Sequence, residues 1–246
     1  MTSEQVMLIL AALVLAIAGC NERPKFDATG LYHQRQLWAV APLRNESGSI
    51  NADGFRVADH LARQLEEVRG IDVVSVNRVI AAMQALRLST IDSPAEAHQL
   101  RKMLGVDALV VGTITAYEPY DPPKLALAVE LFVGEGDPKG APIEDIRALT
   151  RAPTDQMSQP REPIGTRGPA SSVSGYFDAA VPEVREHLRK YAEKRGVNAK
   201  DPDGWRIYRI NMDLYTEFVA YVVSYRLMQA EIERVASSPT KTAPAS

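Results

Sequence analysis

The folded part of the chain opens with the apolar stretch QLWAVA at residues 36–41, which predicts a short buried strand. Residues 51–69 follow, with apolar side chains every three to four positions, and this period indicates an amphipathic helix that stops at Gly70. The stretch IDVVSV at residues 71–76 is rich in β-branched side chains and predicts a second strand. A strand, a helix and a strand in this order predict parallel strands joined by a right-handed crossover.

Further elements extend this unit. A helix capped by Asn77 is predicted next, and Ser93 and Glu96 flank Pro94 in the pattern of a capping box that begins another helix. Residues 107–117 and 125–133 then predict a third and a fourth strand. The order β-α-β-α-α-β-β predicts an α/β fold, in which a small mixed sheet carries helices on one face.

The carboxy-terminal half changes in composition. Residues 134–175 are rich in Pro, Gly and Ser and lack an apolar period, which predicts a flexible segment. Residues 176–195 and 205–235 have helical periods, so that 176–236 are predicted as a C-terminal helical extension. Residues 237–246 are polar and predict a disordered tail. The α/β domain itself is predicted to span residues 36–133.

The amino terminus has the pattern of a bacterial export signal. Residues 6–18 form an unbroken apolar run, shorter than the about 20 residues of a membrane-spanning helix, and residues 1–19 are therefore predicted as a signal peptide. The run ends in IAGC at residues 17–20, which resembles the lipobox of bacterial lipoproteins. The resemblance implies cleavage before Cys20 and acylation of its thiol, with residues 20–35 as a lipid-anchored tether. Residues 1–5 depart from the usual pattern because they contain no Lys or Arg.

These features predict a location in the cell envelope. Acyl chains on Cys20 would make membrane lipid the first partner of the chain and leave the rest of it facing the periplasm. Asn21, rather than Asp, follows the cysteine and favours the outer membrane over the inner membrane.

Composition excludes several classes of protein. The 28 Lys and Arg residues against 31 Asp and Glu residues give a net charge of -3, so nucleic acid is not predicted as a partner. A single cysteine excludes a disulfide within the chain and any metal site built from several cysteines.

No grouping of catalytic, cofactor-binding or metal-binding residues is predicted. Residues 134–140 are Gly-rich but lack the Gly-Lys-Ser/Thr ending of a phosphate loop, and Ser47 lacks the preceding Gly of a nucleophile elbow. The turn with Asp201 and Asp203 could at most form a weak calcium site. The histidines are scattered, with His60 expected on the polar side of the first helix; they are His33, His60, His98 and His187.

Aromatic side chains are concentrated in residues 205–225. Three explanations stay open: a face that packs against the α/β core, a face that binds a partner or a second copy, and insertion into a membrane. The candidate partner-binding residues are Trp205, Tyr208, Tyr215 and Tyr221.

Three segments resemble a group of bacterial envelope lipoproteins. They are LWAVAPLRN at residues 37–45, VVSVNR at 73–78 and LGVDALVVGTI at 104–114. The group comprises the curli-assembly secretion lipoproteins, the penicillin-binding-protein activator lipoproteins and the TolB N-terminal-like domains. The resemblance implies a non-enzymatic periplasmic domain that binds other proteins.

The leading hypothesis is therefore a membrane-anchored, protein-binding or assembly module of the envelope, with an unidentified envelope protein as its partner. An alternative is a subunit of an oligomeric curli-type secretion complex, although only residues 125–133 approach the length of a membrane-spanning strand. A less favoured alternative is an envelope hydrolase with an unrecognised site.

Overall fold

The computed structural model describes residues 26–32, 34–134, 168–198, 201 and 203–237. The strands in this part of the chain are β1 (Phe26–Asp27), β2 (Gln36–Val40), β3 (Arg44–Asn45), β4 (Val68–Arg69), β5 (Ile71–Val74), β6 (Ala108–Glu118), β7 (Lys124–Val133) and β8 (Ser171–Asp178). The α-helices are α1 (Gly54–Glu66), α2 (Val76–Ala85), α3 (Pro94–Leu104), α4 (Pro182–Lys194), α5 (Ile207–Ile210) and α6 (Met212–Ser237), with a 3₁₀ turn at Gly204–Arg206.

The main sheet is mixed and has the strand order β5-β2-β6-β7-β8, with β3 pairing to β6 beyond the end of β2. Strands β5, β2 and β6 are parallel, and the register places Trp38 between Val73 and Ala108. Strands β7 and β8 continue the sheet in antiparallel fashion. The predicted order β-α-β-α-α-β-β is present in β2, α1, β5, α2, α3, β6 and β7.

The predicted α/β class with a mixed sheet is confirmed, but the helices lie on both faces of the sheet and not on one face as predicted. Trp38 and Val40 belong to the core cluster under α1 and α6, whereas Ala39 and Ala41 belong to the cluster under α2 and α3. The reason is visible in the stretch WAVA at residues 38–41, because a strand with apolar residues at successive positions is buried on both faces.

The carboxy-terminal half differs in detail from the prediction. The sequence predicts a helix from residue 176, but Tyr176 lies in strand β8, which pairs with β7 along its whole length. Its side chains alternate, with Val173 and Phe177 towards the core and Ser172 and Ser174 exposed, which is the period of a half-buried strand. The helix begins only at Pro182, a residue suited to the first helical turn.

Helix α6 confirms the predicted C-terminal helical extension and is part of the core. Its residues Phe218, Val219 and Val223 are at most 1% exposed and belong to the same apolar cluster as Trp38 of β2. The predicted division into domains stays a prediction. The predicted signal peptide, Cys20, residues 135–167 of the predicted flexible segment and the tail from residue 238 lie outside the described residues.

The amino-terminal segment, meaning the described residues 26–32, 34 and 35, contacts the folded domain. The sequence predicts a tether up to residue 35, but β1 pairs in parallel with β4, and Ala28 and Tyr32 are 1% and 7% exposed. The physical reason is that these two apolar side chains gain free energy by burial, which a free tether would forgo. The segment enters the sheet where the Gln36 N–H bonds the Gly70 carbonyl at 2.9 Å.

Candidate functional site

Most of the large exposed apolar side chains lie at one end of the sheet. This end is opposite to the one where Gln36 begins β2, because β6 runs parallel to β2 and turns into β7 here. Six of the ten large exposed apolar residues in the described part of the chain belong to loops, to helix starts or to the four-residue helix α5 at this end. We call them the distal surface: Ile50, Phe55, Tyr120, Val181, Ile207 and Ile210.

Contacts between loops hold the distal surface in place. An ion pair at 2.8 Å joins the Arg209 Nε of α5 to the Asp121 Oδ1 of the β6–β7 turn, which also carries Tyr120. The Ala179 N–H donates to the Pro123 carbonyl at 3.0 Å and ties the β8–α4 connection to the same turn. Tyr120, Ile210 and Val181 are therefore presented by connected backbone segments, and Tyr120 is 80% exposed.

A buried histidine joins α1 to α6 beside this surface. The His60 Nε2 lies 3.0 Å from the Asp213 Oδ1, and the Arg56 guanidinium lies 3.5 Å from the same oxygen. The hydrogen bond from His60, together with the charge on Arg56, lowers the pKa of Asp213 below its ordinary value. His60 is 3% exposed, so its predicted position on the polar side of the helix is wrong. The reason is that α6 covers this flank of α1.

Of the four aromatic residues predicted as a partner-binding face, Tyr208 and Tyr215 belong to the apolar core cluster, and Trp205 and Tyr221 pack against it. Tyr215 is fully buried and Tyr208 is 9% exposed, and burial raises the pKa of both phenols. The Tyr191 ring of α4 lies 5.8 Å from that of Tyr208 and 5.0 Å from that of Tyr221. This arrangement agrees with the packing alternative for Tyr208 and Tyr215.

Trp205 and Tyr221 are half-buried, and partner binding stays a prediction for these two. Trp205 precedes the distal residue Ile207, and the Arg209 guanidinium lies 6.0 Å from its ring centre. Trp205 therefore borders the distal surface. The fifth predicted site residue, Cys20, lies outside the described residues.

The other residues of the distal surface were not predicted. Tyr120 and Val181 are single apolar residues in separate connections of the chain, and Phe55 lies in the first turn of α1. No local pattern marks such residues, since isolated exposed apolar side chains are common on protein surfaces. Only the topology of the sheet brings them to one end.

Residues 26–32, 34–134, 168–198, 201 and 203–237 contain no group of three His, Cys, Asp or Glu side chains arranged to hold a metal ion. Within the same part of the chain, every helix is too short or too polar to cross a bilayer.

The fold and the distal surface together define a mixed α/β domain with an exposed apolar end. No family model and no curated protein matches the sequence. Among solved structures, the chain is similar to the LpoB C-terminal domain of Salmonella enterica, with 16% identity, a TM-score of 0.34 and coverage of 41% of this chain and 73% of that one.

Two further structures are similar over larger parts of the chain. The lipoprotein GNA1162 of Neisseria meningitidis has 18% identity and a TM-score of 0.34, covering 50% of this chain and 98% of that one. The hypothetical protein CT253 of Chlamydia trachomatis has 11% identity and a TM-score of 0.34, covering 82% and 95%. One of these neighbours is a lipoprotein by name, and at these TM-scores none defines the family of this chain.

Proposed function

We propose that this chain is a lipoprotein of the cell envelope that acts as a non-enzymatic protein-binding module. Acyl groups on Cys20 hold it to the membrane, and the folded domain faces the periplasm. The outer membrane is favoured because Asn21 follows the cysteine. The observation that carries the binding role is the concentration of exposed apolar side chains on the distal surface.

The chemistry of the distal surface suits a protein partner. Aromatic and aliphatic anchors surrounded by charged groups are typical of protein interfaces, where the buried centre provides most of the binding free energy. Tyr120 and Ile210 are such anchors, and the rim carries the ion pairs Asp121–Arg209 and Asp213–Arg56. Arg209 and Arg56 are each paired with a carboxylate, so these two cations do not supply the free positive charge that nucleic acid requires.

The position of the distal surface also fits an anchored module. The amino-terminal segment enters the domain at the opposite end of the sheet, beside Gly70. A domain held through its amino terminus therefore leaves the distal surface directed away from the bilayer and accessible to a partner. An oligomeric secretion complex and an envelope hydrolase stay predictions of the sequence alone.

A charge placed on the distal surface is expected to remove partner binding. Ile210→Asp introduces a carboxylate where an apolar side chain would be buried by the partner, and we expect at least a tenfold loss in affinity. The measurement is the yield of the crosslinked partner complex from intact envelopes, followed by titration of the purified partner. Ile210 is 58% exposed, so the melting temperature should be unchanged.

The matched control is Met103→Asp, because Met103 is 49% exposed but lies at the end of α3, away from the distal surface. This variant should retain the complex at the wild-type yield. Equal losses in both variants, or no loss in Ile210→Asp, would contradict the proposed binding surface.

A further inference from the structure

The amino-terminal segment is bound to the domain by backbone pairing. The register of β1 and β4 pairs Phe26 with Val68 and Asp27 with Arg69. The Ala28 N–H donates to the Arg69 carbonyl at 2.9 Å, and the Ala28 side chain is 1% exposed. The segment is therefore part of the domain from residue 26 onwards.

A buried carboxylate fastens the same segment to the far end of α6. The Tyr32 hydroxyl donates to the Glu231 Oε1 at 2.8 Å, while the Ser171 hydroxyl donates to Oε2 at 2.9 Å. The Arg234 Nε donates to Oε2 at 2.7 Å. Burial next to this carboxylate raises the pKa of Tyr32, so its hydroxyl remains a donor.

Detachment of Tyr32 would have a clear cost. Glu231 is 0% exposed, and a buried carboxylate that loses a donor is not compensated by water. Tyr32 itself is 7% exposed and would transfer its ring to solvent. The attached state of the segment is therefore favoured by burial and by hydrogen bonding at the same time.

We propose that the amino-terminal segment is a strap that holds the anchored domain close to the bilayer, with the β1–β4 end as the membrane-facing surface. This inference rests on the proposed acylation of Cys20. Only six residue steps separate Cys20 from Phe26, which limits the connection to about 20 Å even when fully extended. A tether that was free as far as Gln36 would reach about 55 Å.

Charge attraction to the bilayer does not account for this placement. Arginines close to β4 and β5 are paired with carboxylates: Arg35 bonds Asp72, and the Arg195 guanidinium lies 3.1 Å from Glu67. Arg69 lies 3.8 Å from Asp27. These pairs carry no excess of positive charge. The length of the connection between Cys20 and Phe26 therefore sets the distance between the domain and the bilayer, and anionic lipid should not change this distance.

Fluorescence energy transfer to acceptor-labelled lipid measures this distance. The full acylated chain is reconstituted into phosphatidylethanolamine vesicles with and without phosphatidylglycerol, and vesicle flotation first confirms attachment. Acylation occupies the Cys20 thiol, so Glu66→Cys at the membrane-facing end of α1 or Asn51→Cys before α1 supplies the single donor site. These positions are separated by about 20 Å along the helix.

We expect higher transfer efficiency at position 66 than at position 51, with both lipid compositions. Tyr32→Ala should abolish this difference, because the free chain would grow from six to sixteen residue steps and its mean span about 1.6-fold. The control Tyr176→Ala removes an exposed tyrosine and should preserve the difference.

Flotation tests the anchor, and the transfer efficiencies test the strap. A chain that does not float overturns the anchor and the strap together, whereas a chain that floats with equal efficiencies at both positions overturns the strap alone. If Tyr32→Ala unfolds, amide exchange in the wild-type chain decides. The Ala28 N–H should exchange at least tenfold more slowly than an unstructured amide, and exchange at the unstructured rate overturns the strap.

Discussion

Glu231→Ala is expected to lower the free energy of unfolding by about 3 kcal/mol, among the largest effects of any single substitution in this chain. The carboxylate accepts hydrogen bonds from Tyr32, Ser171 and Arg234, and its removal takes one acceptor away from each of these donors. We expect the lower end of the range for broken buried ion pairs because the Arg234 side chain is 24% exposed and retains access to water.

Chemical denaturation monitored by circular dichroism measures this loss. The matched control is Glu233→Ala, two positions further along α6, where the glutamate is exposed and should change stability by less than about 0.5 kcal/mol. Glu231→Gln keeps the shape but not the charge and should fall between the two. Similar stabilities for Glu231→Ala and Glu233→Ala would show that the carboxylate does not hold the amino-terminal segment, β8 and α6 together.

Gly54→Ala is expected to destabilise the domain by about 3 kcal/mol or to prevent folding. A Cβ atom on Gly54 would lie 1.9 Å from the Leu43 carbonyl oxygen and 2.9 Å from its carbon, and both are backbone atoms that cannot rotate away. The Leu43 N–H also donates to the Gly54 carbonyl at 3.1 Å, so separation of the two segments would break this bond. The loss is opposite in sign to the usual gain of about 1 kcal/mol for Gly→Ala inside a helix.

Thermal and chemical unfolding of Gly54→Ala test this contact. The control is Gly30→Ala, since a Cβ on Gly30 would meet no atom within 4 Å. That variant should be as stable as the wild type. If Gly54→Ala were equally stable, the close approach of β2–β3 to the start of α1, which positions Ile50 and Phe55, would be disproved.

The sequence predicts the centre of the sheet well because buried strands leave a strong local pattern. Residues 37–41 and 108–111 are continuous apolar runs, and strands of this composition have few alternatives to burial on both faces. Strand β8 was missed because Ser171, Ser172 and Ser174 give it the composition of a loop. Its alternation becomes visible only next to β7, where Val173 and Phe177 meet the core.

The candidate functional features also differ in whether a local sequence pattern reveals them. The lipobox at Cys20 is a local motif and needs no fold to be recognised, whereas the distal surface is assembled from residues far apart in the chain. An apolar stripe on a helix does not distinguish packing from partner binding, and Tyr215 lies in the core. The sequence could have predicted Glu231 as a buried carboxylate, because it lies in the apolar helix stripe that contains Leu227 and Val235.

The anchor at Cys20 is the central claim, because both the strap and the direction of the distal surface depend on it. The direct measurement is metabolic labelling with a fatty-acid probe, combined with the intact mass of the purified protein. We expect the probe on the wild type and on the control Asn21→Ala, and no probe on Cys20→Ala. The intact mass of the wild type should correspond to a chain that lacks residues 1–19. A wild-type chain that keeps residues 1–19 and carries no probe would contradict the account.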